Sequence, residues 1–173
     1  ADMMELGIPF SDPLADGATV QRASQVALDN GSSLAFGFEL AAFARANGVD
    51  IPLVFMGYTN PFFQYGIERL AADAARIGID GFIIPDLPIE ESVDFRLPLA
   101  EAGVDLIYMV APTSTDRRIA QVAERASGFV YCVSVAGVTG ARANLADNLG
   151  GYIGKVRERV QAPLAIGFGI STP

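Results

Sequence analysis

A chain of 173 residues with 51% hydrophobic and 18% charged side chains has the length and apolar content of one globular domain, residues 1–173, with no polar linker to divide it. Its formal net charge of -8 argues against nucleic acid as a partner, because that affinity comes from Lys and Arg neutralising phosphates. The longest apolar runs, such as Phe82 to Pro85 and Leu106 to Pro112, fall far short of the ~20 residues a membrane-spanning helix needs, so no membrane partner is expected.

In chain order, short apolar runs alternate with longer amphipathic stretches, and almost every run ends in Gly, Pro, Asp or Asn. Strands are predicted over Met3 to Ile8, Pro52 to Met56, Gly81 to Ile84, Asp105 to Val110, Phe129 to Ser134 and Leu164 to Gly167. Helices are predicted around Val20 to Asn30, Ser33 to Asn47, Gly66 to Ile77, Glu91 to Ala102, Asp116 to Ala126 and Asn148 to Val160. This alternation is the βαβ pattern, and unbroken apolar strands are those buried on both faces of a parallel sheet. A complete (β/α)8 barrel takes ~250 residues, and a doubly wound open sheet takes fewer. Length alone favours the open sheet. The ends favour a barrel: the chain starts almost at a strand and stops at Ser171-Thr172-Pro173, which reads as an N-cap followed by Pro at the first helical position. The expected architecture is thus a parallel (β/α)8 barrel truncated at both ends, with about six strands present.

Absences narrow the chemistry. The chain contains no histidine, which removes Ser-His-Asp and Cys-His catalysis and nearly all zinc sites, so no metal is expected. The only lysine, Lys155, falls in a stretch that reads as an exposed helix, which speaks against a Schiff-base mechanism. The single cysteine, Cys132, sits in the apolar run Phe129 to Val135, can form no internal disulfide, and reads as buried filler in a reducing cytosol. Carboxylates and tyrosines remain for acid and base work.

Glu5 is the first of these. It stands in the apolar strand Met3 to Ile8, where an unpaired carboxylate costs several kcal/mol or takes up a proton. It is either a carboxylate satisfied by a neighbouring strand or rim group, or a catalytic one. The loop Ser11-Asp12-Pro13-Leu14-Ala15-Asp16-Gly17 follows, and loops after barrel strands form the active face. Asp12 suits a turn, capping or positioning role better than proton transfer, and Asp16, just before Gly17, also suits a turn. A strand carboxylate paired with one from the following loop fits a reaction that protonates one atom while deprotonating another. Glycines in Gly137-Val138-Thr139-Gly140 and Gly167-Phe168-Gly169, after two successive strands, allow backbone N–H groups to approach an anion such as a small phosphate ester, although turn glycines alone would read the same way.

The run Glu5-Leu6-Gly7-Ile8-Pro9-Phe10-Ser11-Asp12-Pro13-Leu14-Ala15-Asp16-Gly17, closing with Gln21, closely resembles the signature of the tryptophan synthase α subunit family. Met56-Gly57-Tyr58-Thr59-Asn60-Pro61, Pro85-Asp86-Leu87-Pro88-Ile89-Glu90-Glu91-Ser92, Ala111-Pro112-Thr113-Ser114, Gly137-Val138-Thr139-Gly140-Ala141-Arg142 and Gly167-Phe168-Gly169-Ile170-Ser171 resemble further stretches of that family, so the likeness runs from the second barrel strand to the seventh. Ala18 departs from it, where the family usually has Pro.

The resemblance implies a lyase that splits indole-3-glycerol phosphate into indole and glyceraldehyde 3-phosphate. It implies Glu5 as general acid/base and Asp16 as partner of the indole N–H. It implies Met56, Tyr58, Tyr131 and Phe168 around the substrate, with Tyr131 beside Glu5. Thr139 matches the mobile-loop threonine that orders the Asp16 loop, and Gly140 and Gly169 match phosphate-binding backbone positions. No cofactor or metal is implied in this subunit. The implied partner is a β subunit that carries pyridoxal phosphate and receives indole in an α2β2-type complex, with Pro9, Phe10, Asp12, Asp86 and Pro88 facing it; the implied compartment is the cytoplasm. Two other readings remain at this stage. One is a different phosphate-handling barrel enzyme, whose usual lysine or metal-binding histidines are missing here; the other is a non-catalytic fragment or partner-binding module.

Overall fold

The computed structural model describes residues 1–134 and 149–167. It resolves into two compact units, Ala1–Leu106 and Ile107–Pro173.

In the first unit, β1 (Met4–Gly7) pairs in parallel with β2 (Leu53–Met56), and β2 pairs in parallel with β3 (Gly81–Ile83), with Glu5 opposite Val54 and Met56 opposite both Gly7 and Ile83. The start of β4 (Asp105–Val110) joins the same unit, the Asp105 N–H donating to the Asp80 carbonyl at 2.9 Å. α1 (Ala18–Asp29) and α2 (Leu34–Ala46) link β1 to β2, α3 (Thr59–Tyr65) and α4 (Ile67–Ile77) link β2 to β3, and α5 (Val93–Glu101) links β3 to β4. β2 and β3 are buried on both faces, as their unbroken apolar sequences require, apart from a half-buried Met56.

The helices follow their patterns. α4 buries Ile67, Leu70, Ala71 and Ala74, a stripe at i, i+3, i+4 and i+7, and ends at Gly78 in the left-handed conformation (φ 87°). α2 starts at Ser33, whose hydroxyl accepts from the Phe36 N–H, and buries Leu34, Gly37, Phe38 and Ala41. Phe38, Phe55, Phe82 and Phe62 form a chain of ring contacts, the last two pairs edge-on at 5.8 and 5.2 Å, which accounts for much of this unit's core. α1 buries no residue at all, leaving Val20 and Val26 exposed. The short α3 departs from the expected pattern, which has no helix between the strand ending at Met56 and the helix starting at Gly66.

In the second unit β4 continues into parallel pairing with β5 (Val130–Val133), and β5 pairs in parallel with β6 (Leu164–Gly167). α6 (Asp116–Arg125), capped by the Thr115 hydroxyl accepting from the Arg118 N–H, buries Ile119 and Val122. α7 (Leu149–Arg157) buries Tyr152 and Val156, and the Tyr152 hydroxyl donates to the Val110 carbonyl at 2.8 Å. Cys132 is fully buried, as expected of filler. No helix among the described residues is long and apolar enough to cross a membrane.

Candidate active site

Three loops leave the C-terminal ends of β1, β2 and β3, and they are tied to one another by hydrogen bonds. Loops at these strand ends are where parallel β/α enzymes build their sites, because the strands hold the loop bases in fixed register. After β2, Gly57 is packed so closely that a Cβ there would come within 2.7 Å of Phe62 Cζ and 3.1 Å of Ile8 Cβ. Glycine is required for this close approach, and it delivers Tyr58 into the interior, where only 4% of the residue remains exposed. The Tyr58 ring lies 5.6 Å from that of Phe10.

The Tyr58 hydroxyl accepts the Ala15 N–H at 3.0 Å, which links the loop after β1 to the end of β2. Asp16, the next residue, is half-buried; its carbonyl accepts from Gln21 Nε2 at 2.8 Å. The Asp16 charge is near enough to act on the Tyr58 hydroxyl. Burial above all, with the neighbouring Asp16 and Asp86 charges adding to it and the Ala15 N–H opposing it, pushes the Tyr58 phenol up to about 12. Tyr58 therefore stays protonated at any working pH. On the loop after β3, Asp86 Oδ1 accepts both the backbone N–H (2.9 Å) and the hydroxyl (3.0 Å) of Thr59.

Glu5 differs from the expectation of a carboxylate enclosed in a strand. Its side chain is solvent-accessible, on the open face of β1 that it shares with Gly7, so the full cost of burying a charge does not arise. Enough protein surrounds the carboxyl for partial desolvation to raise its pKa above the usual carboxylate value.

Of the sequence-predicted residues in this unit, the structure brings together Asp16, Tyr58 and Phe10, with Met56 two residues before Tyr58 at the end of β2. Pro9 and Phe10 are half-buried, Asp12 and Pro88 are exposed, and Asp12 Oδ2 accepts from the Ser11 hydroxyl at 2.5 Å. Asp86 is engaged within its own unit by Thr59, a residue to which the sequence reading attached no role. Nothing local marks the pair, because the two residues are 27 positions apart.

In the second unit Tyr131 lies on β5 with its phenol packed over Gly167 of β6, where any Cβ would collide with the ring. Thr139, Gly140, Phe168 and Gly169 lie outside the described residues. Among the described residues no group of three or more His, Cys, Asp or Glu could hold a metal ion.

The whole chain, residues 1–173, matches the family described as Tryptophan synthase alpha chain. It is 55% identical over 172 residues to a tryptophan synthase alpha chain of Roseiflexus sp. (strain RS-1), covering 99% of this chain and 66% of that relative. With the Chloroflexus aggregans alpha chain it shares 53% identity, covering 100% of this chain and 65% of that relative. Among solved structures, tryptophan synthase subunit alpha from Legionella pneumophila str. Paris superposes with a TM-score of 0.88 at 34% identity, over 99% of this chain and 63% of that one. A tryptophan synthase complex from Pyrococcus furiosus gives 0.85 at 32% identity, over 99% of this chain and 68% of that one. The chain thus spans about two-thirds of the length of the curated relatives it matches. The fold is the expected parallel (β/α)8-barrel type, with six of its strands among the described residues. By sequence and by fold, the chain belongs to the tryptophan synthase alpha chain family.

Proposed function

We propose that this chain carries the acid–base part of a lyase site that cleaves indole-3-glycerol phosphate to indole and glyceraldehyde 3-phosphate. The observation that carries the reading is the hydrogen bond by which the buried Tyr58 hydroxyl holds the Ala15 N–H, which fixes the carboxylate-bearing loop that follows β1, the strand on which Glu5 sits with a raised pKa. A carboxyl whose pKa is moved toward neutrality can both give and take a proton. Glu5 in its acid form protonates C3 of the indole ring, which leaves the ring positively charged. The Asp16 carboxylate accepts a hydrogen bond from the ring N–H and stabilises that charge. The C3′ hydroxyl then loses its proton to Glu5, the bond between C3 and C3′ breaks with its electrons returning to the ring, and the aldehyde forms. Protons and electrons balance within substrate and Glu5, so no cofactor is needed.

Met56, Tyr58, Tyr131 and Phe168 line the substrate in this reading, Thr139 orders the Asp16 loop, and backbone at Gly140 and Gly169 holds the phosphate. The partner is a β subunit bearing pyridoxal phosphate, met by Pro9, Phe10, Asp12, Asp86 and Pro88, in the cytoplasm. The test is to supply indole-3-glycerol phosphate to the full-length protein, alone and with a β subunit, and to measure indole and glyceraldehyde 3-phosphate. Stoichiometric release of both is expected. A folded protein that releases neither under either condition would overturn the reading.

A further inference from the structure

We propose that Tyr58 is a positioning residue for Asp16: its buried hydroxyl anchors the Ala15–Asp16 turn through the Ala15 N–H, and its ring and backbone are in turn held by Phe10 and by the Thr59–Asp86 hydrogen bonds. The inference deepens the lyase reading and rests on it for the role of Asp16.

The geometry gives Tyr58 more to do than present a ring to a substrate. An apolar pocket wall needs only the ring, and a phenylalanine would serve. Here the hydroxyl is the junction between two loops: it accepts from Ala15 at 3.0 Å, and its own proton remains available for an acceptor. Holding the Ala15 N–H fixes the backbone from which the Asp16 side chain leaves. The rest of the loop has little to hold it. Ser11, Asp12, Leu14 and Ala15 are exposed, with Leu14 82% accessible, so this stretch has few packing contacts of its own. Its hydrogen-bonded anchors are the Tyr58 hydroxyl at Ala15 and the Gln21 amide at the Asp16 carbonyl. The base of Tyr58 is rigid because Thr59, the next residue, gives Asp86 two hydrogen bonds.

The test uses Tyr58→Phe in the full-length protein, which keeps the ring and removes the junction. Folding is checked by circular dichroism and a thermal melt. Losing the hydrogen bond that holds the Ala15 N–H implies a fall in kcat for indole release of about five-fold or more, with KM within about two-fold, because a misaligned Asp16 loses charge stabilisation that arises only along the reaction path. Amide hydrogen exchange at Ala15 is expected to speed up by about five-fold or more, which requires no catalysis to observe. Unchanged kcat in a variant whose parent is active, or raised KM with unchanged kcat, would reduce Tyr58 to a pocket wall and overturn the proposal. Should the parent release no indole, the lyase reading falls by itself, and the Ala15 exchange rate alone decides whether Tyr58 anchors the turn: faster exchange keeps the anchoring, unchanged exchange ends it.

Discussion

Asp86 Oδ1 accepts two hydrogen bonds from Thr59, one from its backbone N–H at 2.9 Å and one from its hydroxyl at 3.0 Å. Tyr58, the residue in the N-cap position of α3, makes no side-chain capping bond, so the Asp86 carboxylate supplies the cap from another loop. Asp86→Ala is expected to lower the stability of the isolated protein by about 1.5 to 3 kcal/mol, the usual range for hydrogen bonds to a charged, partly buried acceptor. Urea unfolding measures it. If Asp86 serves only a partner subunit, the midpoint without that partner will not move.

Glu5→Gln separates activity from stability. General acid/base catalysis contributes ~100-fold to 10,000-fold, and indole release should fall by that much while the protein remains folded. The raised pKa of Glu5 means that the folded state holds its proton more tightly than the unfolded chain. Between the ordinary carboxylate value and the raised one, stability therefore falls as pH rises. The Gln variant lacks this dependence, so its stability relative to the parent should improve as pH is raised through that window. Denaturant titrations at a series of pH values would show it, and a parallel pH dependence in both proteins would remove the basis for the shift.

Asp16→Asn should lower kcat for indole release more than it weakens substrate binding, since the positive charge on the ring exists only along the reaction path. Steady-state kinetics decides between the two effects. Raised KM with unchanged kcat would mean that Asp16 only binds the substrate.

Arg45 works at the opposite ends of the strands. Its guanidinium donates to the carbonyls of Gly78, Val49 and Ile51 and to Asp80 Oδ2, at distances from 2.6 to 3.0 Å, and Asp80 Oδ2 also accepts the Leu53 N–H. Arg45→Met keeps much of the aliphatic stem and leaves those acceptors without their charged donor, so a loss of about 2 to 4 kcal/mol is expected. Because the site loops lie at the other strand ends, kcat at low temperature should be unchanged. A stability loss under 0.5 kcal/mol, within the roughly ±0.5 kcal/mol of ordinary surface changes, would show that water replaces the guanidinium freely.

The β/α alternation could be read directly from the chain, because burial on both faces imposes unbroken apolar runs such as Leu53–Met56 and helix periodicity imposes stripes such as Ile67, Leu70, Ala71 and Ala74. The acidic loop 11–17 could be read in the same way, since turn residues and carboxylates are local features. α3 could not. Its cap comes from Asp86, and no pattern within Thr59–Tyr65 announces a carboxylate from a distant loop. Glu5 was legible as an anomaly in an apolar strand, but its accessibility depends on what covers that face of β1, which is a matter of packing and not of spacing. The junction at Tyr58 is the extreme case. Local sequence specifies a tyrosine after a glycine, and only the packing of Gly57 against Phe62 and Ile8 brings its hydroxyl to the Ala15 N–H, 43 positions away in sequence. Periodicity and turn chemistry are carried by neighbouring residues. Hydrogen bonds between loops depend on the strand register that brings separate segments side by side.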